Sequence, residues 1–258
     1  MKMLSGLARD WGGAVAVVTG AGGGVGEAVS RQLAVAGASL LLVGRDEKKI
    51  CRVSDSLGAE IDVMVLSGDV GDSDFCRRVI EETQSRFGRL DVLVNNAGVM
   101  HRGPAEQTSD EDWARVMRVN VDGVFYLSRN AVGIMRQQQG GAIVNVGSTL
   151  SLVGASGLAA YCTSKGAVAQ LTRAMALECA IDDITVNAVC PGAIDSPMLY
   201  SEYPTGTDVD AVCARNAALI PKGVVATADE VARAIVFLAS EPHITGALLS
   251  VDGGYVAQ

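Results

Sequence analysis

The stretch Ala14-Val-Ala-Val-Val-Thr-Gly-Ala-Gly-Gly-Gly-Val-Gly26, running on through Glu-Ala-Val-Ser-Arg-Gln-Leu33, decides how the rest of the chain is read. From Ala14 to Val18 every residue is small or β-branched and apolar, with no alternation. That pattern fits a strand buried on both faces. Gly20, Gly24 and Gly26 come at once after it, and Val25, Val29 and Leu33 then recur at helical spacing. A strand thus feeds a helix through a turn almost free of Cβ atoms, which a ligand can approach closely. The first turn of a helix offers unpaired N–H groups and the positive end of its dipole, so the turn predicts a pyrophosphate site. A plain tight turn needs glycine for the same steric reason, and Gly-x3-Gly-x-Gly departs from the common G-x-G-x-x-G, so the reading depends on residues further along the chain.

At 258 residues the chain is long enough to bury a substantial core. No Pro- or Ser-rich tract, charge block or repeat interrupts it before Pro191, which favours one domain over residues 1–258. An apolar share of 49% with 30 glycines suits a sheet flanked by closely packed helices. The formal charge is −8 with no basic stripe, so nucleic acid is not an expected partner. The stretch Met1 to Asp10 lacks the apolar core of a signal peptide, and no run is long enough to span a bilayer. A soluble protein without a membrane partner is expected. Cys51, Cys76, Cys162, Cys179, Cys190 and Cys213 form neither C-x-x-C pairs nor metal spacings with His101 and His243. Free thiols in a reducing cytoplasm and no metal site are the expectation, each histidine serving packing or the surface.

After the first helix Ala38 to Val43 reads as a second strand, with Gly44-Arg45-Asp46 at its end. A dinucleotide fold places the group that meets the adenosine ribose here, and an acid would bind both ribose hydroxyls of NAD. Gly44 holds that place and Arg45 comes next, so a guanidinium is available for a 2′-phosphate and the balance leans to NADP. The alternative is that Arg45 is an exposed loop charge. Ile61 to Leu66 reads as strand three, leading to Asp69-Val70, and Asp72 to Phe87 as a helix with Asp72 as N-cap. Leu90 to Val94 reads as strand four and ends in Asn95-Asn96-Ala97-Gly98, a second small polar turn in register with the first. A helical pattern then runs from Ser109 to about Met135 with Asn120 inside its apolar periodicity, where an amide needs a hydrogen-bond partner. Strand five, Ala142 to Val146, delivers Gly147-Ser148 to the same sheet edge.

The next helix opens Ala159-Ala-Tyr161-Cys-Thr-Ser-Lys165. Positions i and i+4 share a helix face, so phenol and ammonium are neighbours. A fixed cation close by favours the phenolate and lowers its pKa by ~1–3 units, which lets a tyrosine exchange a proton with an alcohol or carbonyl oxygen near neutrality. Alone, such a pair reads as surface packing. Its joint occurrence with Asn120, Ser148 and the glycine turn is what points to chemistry.

With these residues in place the chain resembles a classical short-chain dehydrogenase/reductase. The resemblance rests on Thr19 to Gly26, Asp69-Val70, Asn95 to Gly98, Asn120, Ser148, Tyr161-x3-Lys165, Pro191-Gly192 and Asp252-Gly-Gly254, in the family's order over nearly the whole chain. It implies Tyr161 as general acid/base, Lys165 lowering its pKa and holding the nicotinamide ribose, Ser148 polarising the substrate oxygen, and Asn120 holding a water that links Lys165 to solvent. It implies Gly20, Gly23, Gly24, Val25 and Gly26 beside the pyrophosphate, Asp69 and Val70 at the adenine, and Asn96, Ala97 and Gly98 on the adenosine side. Pro191, Gly192, Ile194 and Ser196 would meet the nicotinamide end. Gly23 stands where many NADP-using relatives carry a basic residue, which counts against reading Arg45 as a 2′-phosphate partner.

The fold class expected is α/β: a single doubly wound, Rossmann-like domain with a mainly parallel seven-stranded sheet and helices on both faces. Residues 192–227, broken by Pro197, Pro204, Gly206 and Pro221, read as a substrate loop or lid, with a plain surface loop as the alternative. Asp229 to Ala239 then returns as a helix and Ala247 to Val251 as a closing strand. The activity implied is hydride transfer between NAD(P) and a small-molecule carbonyl or secondary alcohol. A non-catalytic redox sensor and an NAD(P)-dependent isomerase or lyase remain the alternatives. The resemblance also implies a homo-oligomer, dimer or tetramer, formed through the helices that carry Asn120 and Tyr161; Ala167, Ala169, Ala174 and Ala176 make the second small-faced.

Overall fold

Strand β1, Val15–Thr19, is buried along its whole length, and its neighbouring residues face two different cores. Ala16 and Val18 pack into one apolar cluster, while Val17 packs into the other with Phe75, Val79 and Leu127. Strand β2, Ser39–Gly44, repeats the arrangement: Leu40 and Leu42 join the first cluster, Leu41 and Val43 the second. Both sides are covered, so neither strand alternates in polarity.

The structure is a computed structural model and describes residues 11–201, 203 and 206–258. The expectations for Met1 to Asp10 and for Pro204 lie outside the described residues. Strands β3 (Val63–Ser67), β4 (Val92–Asn95), β5 (Gly141–Val146), β6 (Ile184–Pro191) and β7 (Leu248–Val251) complete one sheet in the order β3-β2-β1-β4-β5-β6-β7. Every pairing in it is parallel, beyond the mainly parallel sheet expected. Helices α1 (Gly24–Ala36) and α2 (Glu47–Asp55) lie on the face of the first cluster, and α3 (Ser73–Phe87) on the other. This is a doubly wound, Rossmann-like fold. The chain winds outward from β1 and then jumps to β4 on its other side, so the carboxyl ends of β1 and β4 flank the crevice where such sheets bind ligands.

The predicted helix from Ser109 to Met135 is three pieces: α4 (Asp110–Met117), a π-helical turn over Arg118–Asp122, and α5 (Gly123–Gln137). Ser109 caps it, accepting from Asp112 N at 3.0 Å. The wider turn begins after Met117 and holds Asn120 at full burial. Gly123 is required just beyond, because a Cβ there would stand 2.9 Å from Val70 O. Apolar periodicity does not separate a π turn from the α-helix around it. Further on come α6 (Ala159–Cys179), α7 (Pro197–Tyr200), α8 (Val209–Ala217) and α9 (Ala228–Ser240), the last packed on the same face as α1. Asp72 caps α3 as expected, accepting from Asp74 N at 2.9 Å.

Candidate active site

The carboxyl ends of β1, β4, β5 and β6 open into a cleft of about 650 Å³. At its floor lies the turn after β1. Gly20 and Gly24 take positive φ, +64° and +53°, which an L side chain adopts only with strain. Helix α1 has Gly23 as its N-cap and no side-chain cap, and Gly23 and Gly24 line the cleft. Its first N–H groups are thus left to a ligand. A Cβ on Gly23 would meet nothing within 4 Å, and one on Gly24 would meet only Ser196 Cβ, at 3.7 Å. A phosphate group fits this glycine-lined space.

What holds the turn is the chain end of β4. Thr19 Oγ1 donates to Val94 O at 3.2 Å and accepts from Asn96 N and Ala97 N at 2.9 and 3.0 Å. Asn96 Nδ2 returns bonds to Thr19 O and Gly20 O at 2.9 and 3.2 Å. The two small polar turns of the sequence are one clamp, and Thr19, given no role of its own by the sequence, is at its centre. A buried hydroxyl in the last position of an otherwise apolar strand was the available signal.

Among the predicted residues Gly20, Gly23, Gly24, Val25, Arg45, Asn96, Ala97, Gly98, Ser148, Tyr161, Lys165, Pro191, Gly192, Ile194 and Ser196 all line the cleft. Four do not. Gly26 packs the helix onto the turn instead, since a Cβ there would stand 2.2 Å from Gly20 O. Asp69 turns to Gly71 N at 2.9 Å and to Arg118 Nη1 at 2.8 Å. Burial opposes its charge, but these two partners and the nearby Arg45 hold the carboxyl below its ordinary range. Val70 is buried against Gly123. Asn120 finds the partners it needed: Oδ1 accepts from Val99 N at 2.8 Å, while Nδ2 donates to Val99 O at 2.8 Å and to Ser164 Oγ at 3.0 Å. It therefore fastens the loop after β4 to α6. Its carbonyl oxygen and Lys165 Nζ share the space beside Gly98, 3.4 and 3.8 Å from where a Cβ would be.

Tyr161 and Lys165 occupy one face of α6, with the ammonium 5.6 Å from the centre of the phenol ring. Both are nearly inaccessible to solvent. Lys165 Nζ donates to Val146 O at 2.7 Å, which turns its charge toward β5. Burial pushes the Tyr161 phenol up to about 12, against a hydrogen bond from Ser148 that favours its ionised form. Burial likewise draws Lys165 down to about 8, partly offset by the Cys190 thiol. The spacing of the pair predicts the reverse for the phenol, with the ammonium pulling it down. Desolvation dominates here, because a charge in a site that excludes water loses hydration that the Ser148 hydrogen bond only partly returns. Ser148 is itself fixed by a small capping box, accepting from Leu150 N at 3.1 Å while Ser151 Oγ accepts from its N–H at 3.2 Å.

Part of the cleft wall was missed by sequence reasoning. Met100, Arg102, Leu150, Leu158, Leu219 and Tyr255 line it, drawn from four separated segments. Lys49 and Asp46 join Arg45 at the β2 end. Among the described residues no group of histidine, cysteine and acidic side chains is spaced for a metal ion. All six cysteines carry free thiols, and His101 faces Asp112 at 3.5 Å.

The fold and this cleft define an oxidoreductase of the doubly wound α/β kind. A family model described as short chain dehydrogenase matches residues 14–205, and the chain belongs to that family. It is 36% identical over 251 residues to a 3-oxoacyl-acyl-carrier-protein reductase of Thermotoga maritima, covering 95% of this chain and 98% of the relative. It is 38% identical over 248 residues to a cis-4-hydroxycyclohexanecarboxylate dehydrogenase of Sinomonas cyclohexanicum, covering 94% and 96%. Among solved structures, levodione reductase superposes with a TM-score of 0.92 at 29% identity, over 95% of this chain and 98% of that one.

Proposed function

We propose that this protein is an NAD(P)-dependent dehydrogenase or reductase that interconverts a small-molecule ketone and its secondary alcohol, with Tyr161 as general acid/base. The observation that carries the reading is the convergence of the uncapped α1 terminus, Ser148, Tyr161 and Lys165 on one cleft. When bound, the nicotinamide supplies the hydride chemistry. The chain supplies position and the proton. Gly20, Gly23 and Gly24 hold the pyrophosphate, and Asn96, Ala97 and Gly98 lie along the adenosine side. Ser148 orients the substrate oxygen against the Tyr161 hydroxyl, which gives that oxygen its proton in reduction and takes it back in oxidation. Lys165 keeps positive charge beside the phenol and the ribose, and Asn120 sets the loop that Lys165 faces. Pro191, Gly192, Ile194 and Ser196 bound the nicotinamide end.

Arg45 and Lys49 at the β2 end favour NADP, with Asp46 as the competing charge. Residues 192–227 act as the lid, hinged where Ala226 N bonds Ala193 O at 2.9 Å and Asp195 N bonds Ala226 O at 3.0 Å. A homo-oligomer is supported by apolar side chains left exposed on and just after the helices concerned, namely Phe125 on α5, Leu177 on α6 and Ile181 just beyond it. Among the described residues no helix is long and apolar enough to cross a membrane, and a cytoplasmic setting suits six free thiols. The names of the relatives, a reductase of an oxoacyl group and a dehydrogenase of a cyclic alcohol, support the ketone and alcohol pair.

Fluorescence titration with NADPH and NADH, and then a panel of ketones with the nucleotide that binds tighter, tests the reading. Tight binding with consumption of the reduced nucleotide is expected. Binding without net redox chemistry on any ketone or alcohol would instead favour a sensor or an isomerase.

A further inference from the structure

Each polar group of Ser148 is engaged by the short turn Thr149–Ser151 that follows it. Its C=O accepts from Ser151 N at 2.9 Å, its N–H donates to Ser151 Oγ at 3.2 Å, and its hydroxyl oxygen accepts from Leu150 N at 3.1 Å. Ser151 thus grips both backbone groups of Ser148, and the Leu150 N–H fixes the rotation left to the side chain. What remains is a single hydroxyl proton. It meets the Tyr161 oxygen, where the bond favours the ionised phenol. The space behind the turn admits Ser151 because residue 147 is glycine. A Cβ there would stand 3.0 Å from Ser151 Oγ and 3.1 Å from Cys190 Sγ, so a side chain would push both away. Cys190 is wholly buried on β6. Burial pushes its thiol up, and hydrogen bonds from the Ser148 backbone and the Ser151 hydroxyl oppose that rise. Ser148, Thr149 and Leu150 line the cleft, while Ser151 stands behind them.

Resting on the hydride-transfer reading above, we infer that Ser151, seated on Cys190, is a positioning residue that aims the Ser148 hydroxyl at the Tyr161 oxygen and, with substrate bound, at the substrate oxygen. A hydroxyl that already accepts an N–H bond is polarised and donates more strongly, and a donor held in place needs no reorientation as charge develops before it. Without Ser151 Oγ the Ser148 N–H keeps only a thiol sulfur, a weak acceptor, and the turn is free to open.

The test measures kcat, ketone KM and nucleotide affinity in Ser151→Ala, Ser151→Thr, Ser148→Ala and the Ser148→Ala, Ser151→Ala double variant, with cyclohexanone, acetophenone and ethyl acetoacetate as ketones. Ser151→Ala should lower kcat by roughly tenfold with nucleotide affinity kept, and Ser151→Thr, which retains the oxygen, should recover most of that loss. In the Ser148→Ala background the same change should cost less than about twofold, because its route to the reaction is already gone. Crystal structures of wild type and Ser151→Ala read the position without turnover, and in the variant the Ser148 hydroxyl should leave its single place at Leu150 N. The positioning role is overturned by an unchanged kcat in Ser151→Ala, by a Ser151→Thr as slow as Ser151→Ala, by an equal loss in the Ser148→Ala background, or by an unmoved Ser148 in the variant crystal. Turnover of any of these ketones by wild type would still uphold hydride transfer. A displaced Ser148 in the variant crystal, with no turnover of any ketone by wild type, would uphold the positioning role and sink the hydride-transfer reading.

Discussion

The turn after β1 and the segment after β6 both border the cleft, but they are built from different materials. The first is backbone: Gly20, Gly23 and Gly24, locked from behind by the Thr19 and Asn96 bonds and by Gly26 packed on Gly20 O. The second is joined through side chains. Tyr200 of α7 donates to Asp195 Oδ1 at 2.7 Å and lies 2.9 Å from Cys213 Sγ of α8, and Tyr203 bridges Arg102 and Arg215. Backbone geometry suits a ligand part that never varies, such as a pyrophosphate. Contacts between side chains can be exchanged one at a time, which suits the end that chooses a substrate.

If the difference is real, damage to the first region should be all-or-none. In Gly26→Val the new Cβ would stand 2.2 Å from Gly20 O and 2.7 Å from Asn96 Nδ2, neither of which can yield without breaking the clamp. Nucleotide binding should fall below detection in a fluorescence titration, with circular dichroism reporting whether the fold survives. Near wild-type affinity would show the turn to be pliable and remove the contrast.

The catalytic pair between the regions should leave its mark on stability. Lys165 is drawn from 10.5 to about 8 in the fold. Between these values the unfolded chain holds a proton that the folded chain has lost, so this group makes stability rise with pH across that window, by about 3 kcal/mol in all. Tyr161 is raised from 10.0 to about 12, so its contribution falls as pH rises through that range. Urea unfolding at pH 8 and 10 should show wild type gaining stability relative to Lys165→Met over that interval, the buried Cys76 thiol, pushed up to about 12, acting in the opposite direction in both proteins. An identical pH dependence in both would place the ammonium in water.

The lid should respond least. Tyr200→Phe removes one hydroxyl and its bonds to Asp195 and Cys213, with α7 and α8 otherwise intact. A few-fold rise in ketone KM is expected, with nucleotide affinity kept and stability changed by less than about 1 kcal/mol. A loss as large as that of Gly26→Val would mean the two regions are one unit.

The legible part of this molecule is the part fixed by local rules. Unbroken apolar runs read as two-sided strands because Val17 and Val18 do face opposite cores, and the glycine and asparagine turns do border one cleft at one sheet edge. Strand β6, Ile184–Pro191, and helix α2, Glu47–Asp55, went unplaced by residue pattern, and the π turn around Asn120 is invisible to periodicity. The spacing of Tyr161 and Lys165 gave their shared helix face but not their burial, and burial reverses the expected direction of the phenol pKa. Arg102, Leu219 and Tyr255 were beyond reach for another reason. They meet only after the chain has crossed the sheet several times, and no local spacing encodes such a meeting.

The claim that Tyr161 moves the proton is tested most directly by measuring kcat and nucleotide affinity side by side in Tyr161→Phe. The account predicts turnover lower by ~10²–10⁴ with nucleotide affinity within a few-fold of wild type, since the phenol is needed for proton transfer and the cradle is built elsewhere. Turnover retained at the wild-type level would contradict it.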